Sequence, residues 1–162
     1  MNNAHKLILI LSLFIITNCG FKVSNNALYG KFYIANIENT KTQKIDFLIK
    51  QGLRNRLSNE KALNKINLEI TNSKIKEINE KNIQNQITKY ELNISSVVNV
   101  IFLEDLKKYN FKISSKGIYN ISTTHIGTKK NQENLEKYLA NKNIDKILKA
   151  LTNLEKWFLK AT

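Results

Sequence analysis

Apolar and polar positions recur with different periods along this chain, and those periods divide it into elements. Lys31-Phe32-Tyr33-Ile34-Ala35-Asn36-Ile37 is rich in aromatic and branched side chains and predicts a short strand. Ile45, Leu48, Ile49, Leu53 and Leu57 follow at three- and four-residue intervals, one stripe of a helix from about Thr42 to Leu57, with Asn39 to Thr42 as candidate caps. Gly52 lies inside it at a cost of up to about 1 kcal/mol relative to alanine, so a close approach to the sheet is expected there. Ile66, Leu68 and Ile70 alternate with Asn67 and Glu69 as a second strand, which can run on through Ile75 to Ile78 after a kink at Thr71-Asn72-Ser73.

The clearest alternation starts at Thr88. Tyr90, Leu92, Ile94, Val98, Val100 and Phe102 all occupy even positions, and Ser96 keeps the register. Glu104 to Lys108 is a polar turn, after which Tyr109, Phe111, Ile113, Tyr119 and Ile121 occupy odd positions, with a bulge expected near Ser115 and Gly117. Two such strands across a short turn form an antiparallel hairpin. A last helix is expected from about Asn131 to Leu159, on Leu135, Tyr138, Leu139, Ile144, Ile147, Leu148, Leu151, Leu154 and Phe158, with Asn141-Lys142-Asn143 as its weak point. Trp157 beside that stripe reads as a core aromatic at the helix end. The order β-α-β-β-β-α predicts an α+β fold: a four-stranded, mainly antiparallel sheet with two helices packed on one face. Its first two strands can pair in parallel across a crossover.

If even positions of the first hairpin strand face the helices, the other face carries Lys89, Glu91, Asn93 and Ser95, then Val97, Asn99, Ile101 and Leu103. The neighbouring strand adds Lys112, Lys116 and Asn120 to it. Lys89, Lys112 and Lys116 make the polar half of that face basic. Val97, Ile101 and Leu103 are the candidate docking residues for a protein partner. A covering loop, or a strand buried on both faces, explains the same apolar residues equally well.

The amino-terminal segment changes where this domain is expected to work. Lys6 precedes the apolar run Leu7 to Ile16, which is shorter than the roughly 20 residues that span a bilayer and reads as an export signal. Ile16-Thr17-Asn18-Cys19 is similar to the lipobox of bacterial lipoprotein signals, in which the chain is cut before the cysteine, the thiol receives a diacylglycerol and the new amine is acylated. One acyl chain anchors marginally and two or three anchor firmly. The alternative for Cys19 is an ordinary buried cysteine after a signal peptide. On the lipobox reading, residues 1–18 are a lipoprotein signal peptide, 19–30 a lipidated tether and 31–162 a single α+β domain. Gly20, where an aspartate would resemble an inner-membrane retention signal, points to the outer membrane.

Composition bounds the chemistry. Cys19 is the only cysteine, so no intrachain disulfide can form and the fold must stand on packing. The formal charge of +13 favours anionic partners. Of the 26 basic residues only Arg54 and Arg56 are arginines, and the lysine, asparagine and isoleucine enrichment of an AT-rich genome accounts for much of the charge as well. The hairpin aromatics alternate inward with leucine and isoleucine, which suits a core better than a base-stacking platform and argues against nucleic acid. His125 is the only histidine after the signal, in a loop-like stretch, and Glu104-Asp105 reads as solvated charge. No Gly-x-Ser-x-Gly elbow, phosphate loop or dinucleotide fingerprint occurs. The expectation is a non-enzymatic protein with no cofactor or metal beyond the lipid on Cys19. A hydrolase built around His125 stays as a third possibility.

Several of these segments resemble the lipopolysaccharide-assembly lipoprotein family, LptE. Cys19-Gly20-Phe21 is similar to the family's mature start, and Leu28-Tyr29-Gly30 to a tripeptide that follows it. Thr88-Lys89-Tyr90-Glu91-Leu92, Gly117-Ile118-Tyr119-Asn120 and the long terminal helix come in the family's order. The resemblance implies an outer-membrane lipoprotein that faces the periplasm, plugs a large β-barrel, helps that barrel fold and assists delivery of lipopolysaccharide to the outer leaflet. Its partners would be the barrel of the lipopolysaccharide translocon and the glycolipid itself, with Lys89, Lys112 and Lys116 as the candidate contacts for that anionic glycolipid. The alternative is a generic outer-membrane lipoprotein that binds another envelope protein or an anionic polymer, DNA during uptake included.

Overall fold

Among the described residues six elements follow one another: β1 (Phe32–Asn39), α1 (Lys44–Arg56), β2 (Asn64–Lys81), β3 (Ile87–Phe102), β4 (Lys108–Asn120) and α2 (His125–Ala161). The structure, a computed structural model, describes residues 31–39 and 44–161, with side chains as far as 154. Cys19, the signal and the tether lie outside the described residues, as does the Trp157 side chain.

The strands form one sheet in the order β1-β2-β3-β4. β1 runs parallel to β2, across α1, and the two remaining pairings are antiparallel. Ile66, Leu68 and Ile70 of β2 and Leu92, Ile94, Val98 and Val100 of β3 are buried in one cluster with Ile49 and Leu53 of α1 and Leu139, Ile144, Ile147, Leu148 and Leu151 of α2. Both helices therefore cover the same sheet face, as the α+β expectation had it. Each such side chain stabilises the fold by about 1.5–3 kcal/mol relative to exposure. Phe32 and Tyr109 close the end near the β3–β4 turn by packing edge-on against Phe102, with ring centroids 6.3 and 5.7 Å away.

Several local expectations are corrected. β2 shows no kink at Thr71-Asn72-Ser73, because β3 pairs with it in unbroken register from Ile66↔Phe102 to Ile78↔Tyr90. β4 has no bulge at Ser115 and Gly117, for its register with β3 is continuous. Gly117 instead leaves room for α2: a Cβ there would lie 2.9 Å from Leu135 Cδ1. Gly52 serves a helix contact rather than a sheet contact, since its Cβ would stand 2.4 Å from Ile144 Cδ1 of α2. α2 passes Asn141 to Asn143 without a break, because the buried Asn143 amide donates to Ile94 O at 3.0 Å. It also begins earlier than the apolar stripe implied, at His125, which is exposed in its first turn rather than in a loop. Thr124 Oγ1 accepts from Gly127 N at 3.0 Å and caps that end. Tyr138 is exposed and lies off the buried stripe.

Candidate functional site on the open sheet face

The odd positions of β3 project onto the face that the helices leave uncovered, and cross-strand pairing decides their neighbours. Val97 stands between Thr71 of β2 and Lys112 of β4, and Ile101 between Asn67 and Lys108. Asn99 separates them and donates to Glu69 at 3.1 Å, while Asn110 donates to Asn99. Val97 and Ile101 are half-buried, and Leu103, 38% exposed, lies at the start of the β3–β4 turn. The three docking candidates thus share one face but stand singly in a polar lattice. No helix covers that face among the described residues.

The three candidate lysines also share this face, in different electrostatic settings. Lys89 Nζ is 2.6 Å from Glu80 Oε2, and Thr88 donates to the other carboxylate oxygen at 3.0 Å. These hydrogen bonds, Lys89's first, hold the Glu80 carboxyl below its ordinary range. Lys116 Nζ lies 3.5 Å from Glu91 Oε2. Lys112 is exposed, with no ion-pair partner among the described residues, and is the least committed positive charge of the three. Their cross-strand partners are Asn120, Val97 and Asn93, so the lysines are strung along the hairpin and do not converge on one point. Such a row suits an extended anionic surface better than a single phosphate. At the end of the hairpin, Asp105 pairs with Lys107 at 2.8 Å, a contact that lowers the Asp105 carboxyl and raises the Lys107 ammonium.

On the covered face the structure adds a polar network that the apolar stripes concealed. Asn72 donates to Asp46 Oδ1 at 2.7 Å and accepts from Ser96 Oγ at 2.7 Å. Asn143 reaches the same Ser96 Oγ at 3.3 Å, so α1, β2, β3 and α2 are joined through buried hydrogen bonds. Nearby, Lys74 and Gln132 each donate to Glu136 Oε1 at 2.9 Å, and Tyr119 donates to Gln132 at 3.0 Å. Burial opposes ionisation of Glu136, but these hydrogen bonds and the charges of Lys74 and Lys44 outweigh it, and its carboxyl falls below its ordinary 4.5. The sequence signal was a polar residue standing in phase with apolar ones: Asn72 after Ile70, Ser96 between Ile94 and Val98, Asn143 one turn after Leu139.

Fold and surface together define a class: a two-layer α+β body with one sheet face built into the core and the other left as a polar, lysine-bearing platform. Solved structures share that fold. The crystal structure of rare lipoprotein B from Shewanella oneidensis superposes with a TM-score of 0.61 at 20% identity, covering 78% of this chain and 98% of that one. A lipoprotein of Caulobacter crescentus gives 0.55 at 13% identity, covering 85% and 96%. The solution structure of lipoprotein B from Nitrosomonas europaea gives 0.52 at 13%, covering 80% and 88%. No family model matches the chain. No curated protein matches it either.

Proposed function

We propose that this protein is a non-enzymatic, lipid-anchored outer-membrane lipoprotein that plugs a β-barrel lipopolysaccharide translocon, assists the barrel's assembly and helps lipopolysaccharide reach the outer leaflet. The observation that carries the reading is that the described domain takes, over nearly the full length of rare lipoprotein B, the fold of that protein. The lipobox-like Ile16 to Cys19 supports the anchor. Lys31, the first described residue, adjoins the start of β1 at the sheet end that holds the β3–β4 turn. A lumen with a polar wall would meet the open face through hydrogen bonds from Asn67, Asn99 and Asn110 and through point-charge contacts from lysine.

Depletion of the chain in its own cell is the test: surface lipopolysaccharide should fall and the translocon barrel should accumulate unfolded, and both should recover when the wild-type gene is restored. Normal surface lipopolysaccharide after depletion contradicts the proposal. For the glycolipid itself, changing Lys89, Lys112 and Lys116 together to glutamate should abolish binding to the purified protein, and unaltered binding would remove the anionic-site assignment. The ion pairs of Lys89 and Lys116 favour the second reading, an envelope-protein partner on the open face, because two of the three charges are already answered by carboxylates.

A further inference from the structure

The sheet has one stretch of edge that nothing in the described chain pairs or blocks. β1 accompanies β2 only from Asn64 to Ile70, whereas β2 continues to Lys81 with β3 as its partner on the other side. Leu103 N donates to Lys65 O, so odd-numbered residues of β2 direct their backbone groups toward β3. Even-numbered residues point the opposite way. Ile66, Leu68 and Ile70 meet β1, and Lys74, Lys76 and Ile78 present their N–H and C=O groups outward with no strand of the described residues beside them.

The other edges are treated differently. β1 carries a bulge at Ala35, between Ile34 and Asn36. The outer edge of β4 is occupied in its middle, where Lys146 of α2 donates to Ser114 O. Bulges and lysines at an edge are common devices against unwanted strand pairing. β2 has lysines too, but they fold back over the sheet: Lys74 Nζ meets Glu136 at 2.9 Å, and Lys76 Nζ lies 3.9 Å from the Tyr90 ring centroid. The backbone edge is left clear.

We infer that the outer edge of β2 from Lys74 to Ile78 is a strand-docking site that takes an extended segment of a partner protein by β-addition, with an acidic side chain toward Lys76 and branched apolar side chains beside Ile75 and Ile78. The main chain supplies the hydrogen bonds of such a contact and alternate side chains its selectivity. Ile75 and Ile78 are each 52% exposed, one on each face of the strand, and offer the apolar flanks. Lys76 has no carboxylate partner among the described residues and keeps its ammonium donors on a long stem, and a chain of charge +13 selects for acid. This site is separate from the open face and does not depend on the barrel or glycolipid reading.

The test is amide hydrogen exchange on the full chain in detergent micelles, using as probe a capped peptide of about eight residues in which valine alternates with threonine around one central glutamate. At saturation the Lys74, Lys76 and Ile78 amides should slow by about tenfold or more, as newly formed ladder bonds do. A peptide with lysine in place of the glutamate should protect them less. Lys76→Pro removes an N–H that no β3 bond uses, so it should abolish protection at Lys74 and Ile78 while β3 amides stay protected, which shows the variant folded. Lys76→Glu should invert the preference between the two peptides. Unchanged edge amides at saturation overturn the proposal, as does equal protection by both peptides. Edge protection that rises with protein concentration in the absence of peptide would assign the edge to a second copy and overturn it too. Lipopolysaccharide delivery is not measured, so failure here leaves the proposed function to its own test.

Discussion

Gly52 and Ile144 form a contact between α1 and α2 whose energetics can be worked from one distance. A Cβ on Gly52 would stand 2.4 Å from Ile144 Cδ1, where carbon atoms at rest keep about 3.5–4.0 Å. Ile144 is 1% exposed, so its terminal methyl has no open space to enter. Gly52→Ala gains about 1 kcal/mol of helix propensity against about 1–3 kcal/mol of overpacking. The clash wins, and a net loss of about 1 kcal/mol is expected. Ile144→Val deletes Cδ1 itself and should cost about 1 kcal/mol as a single change. In the double variant the new methyl fills the space that the deleted one vacates. It should therefore equal the wild type within about 0.5 kcal/mol, a coupling of about 2 kcal/mol, well beyond the scatter of independent sites. Equilibrium urea unfolding of the four proteins, followed by circular dichroism, measures the cycle. Additive losses in the double variant would refute the claim that this glycine exists to seat α2.

Two further outcomes follow from the covered face. Asn72→Leu removes the donor to the Asp46 carboxylate and the acceptor of Ser96 Oγ, both at 2.7 Å, and should cost about 3 kcal/mol, or about 10 °C in a thermal melt; an unchanged melting temperature would show that the network contributes nothing to stability. The Glu136 carboxyl is held below its ordinary 4.5, so its stabilising contribution is complete above that value and is lost as pH falls through the lower folded value. The loss of stability on acidification should accordingly be shallower in Glu136→Gln than in the wild type, and parallel stability–pH curves would contradict the assignment.

The strands were legible because alternation in β3 and β4 has only one reading: Tyr90 to Phe102 in phase cannot serve a helix. The order of the elements then fixed the class of fold. What periodicity missed were residues whose role is set by a partner distant in sequence. Asn143 looks like a helix breaker until Ile94 O accepts from it, and Gly52 looks like a flaw until Ile144 is placed opposite. On the candidate site, parity correctly put Lys89, Lys112, Lys116, Val97, Ile101 and Leu103 on one face. It could not show that Glu80 and Glu91 answer two of the lysines, because the first pair depends on a register shift between Ile78 and Glu80 and the second on the pairing that sets Lys116 diagonal to Glu91. Nor could it show that β1 pairs with β2 only as far as Ile70, which leaves the rest of that β2 edge without a strand among the described residues.

The proposed function requires that a lipid on Cys19 anchor this α+β body in the membrane while the body itself seats in a barrel. Extraction of the envelope in mild detergent, capture of the full chain through a carboxy-terminal tag and intact-mass spectrometry of what is released test it directly. A stoichiometric outer-membrane β-barrel protein and a chain that begins at Cys19 with two or three acyl groups are the expected result; an unmodified Cys19, or an acylated chain that emerges without a barrel, would contradict the proposed function.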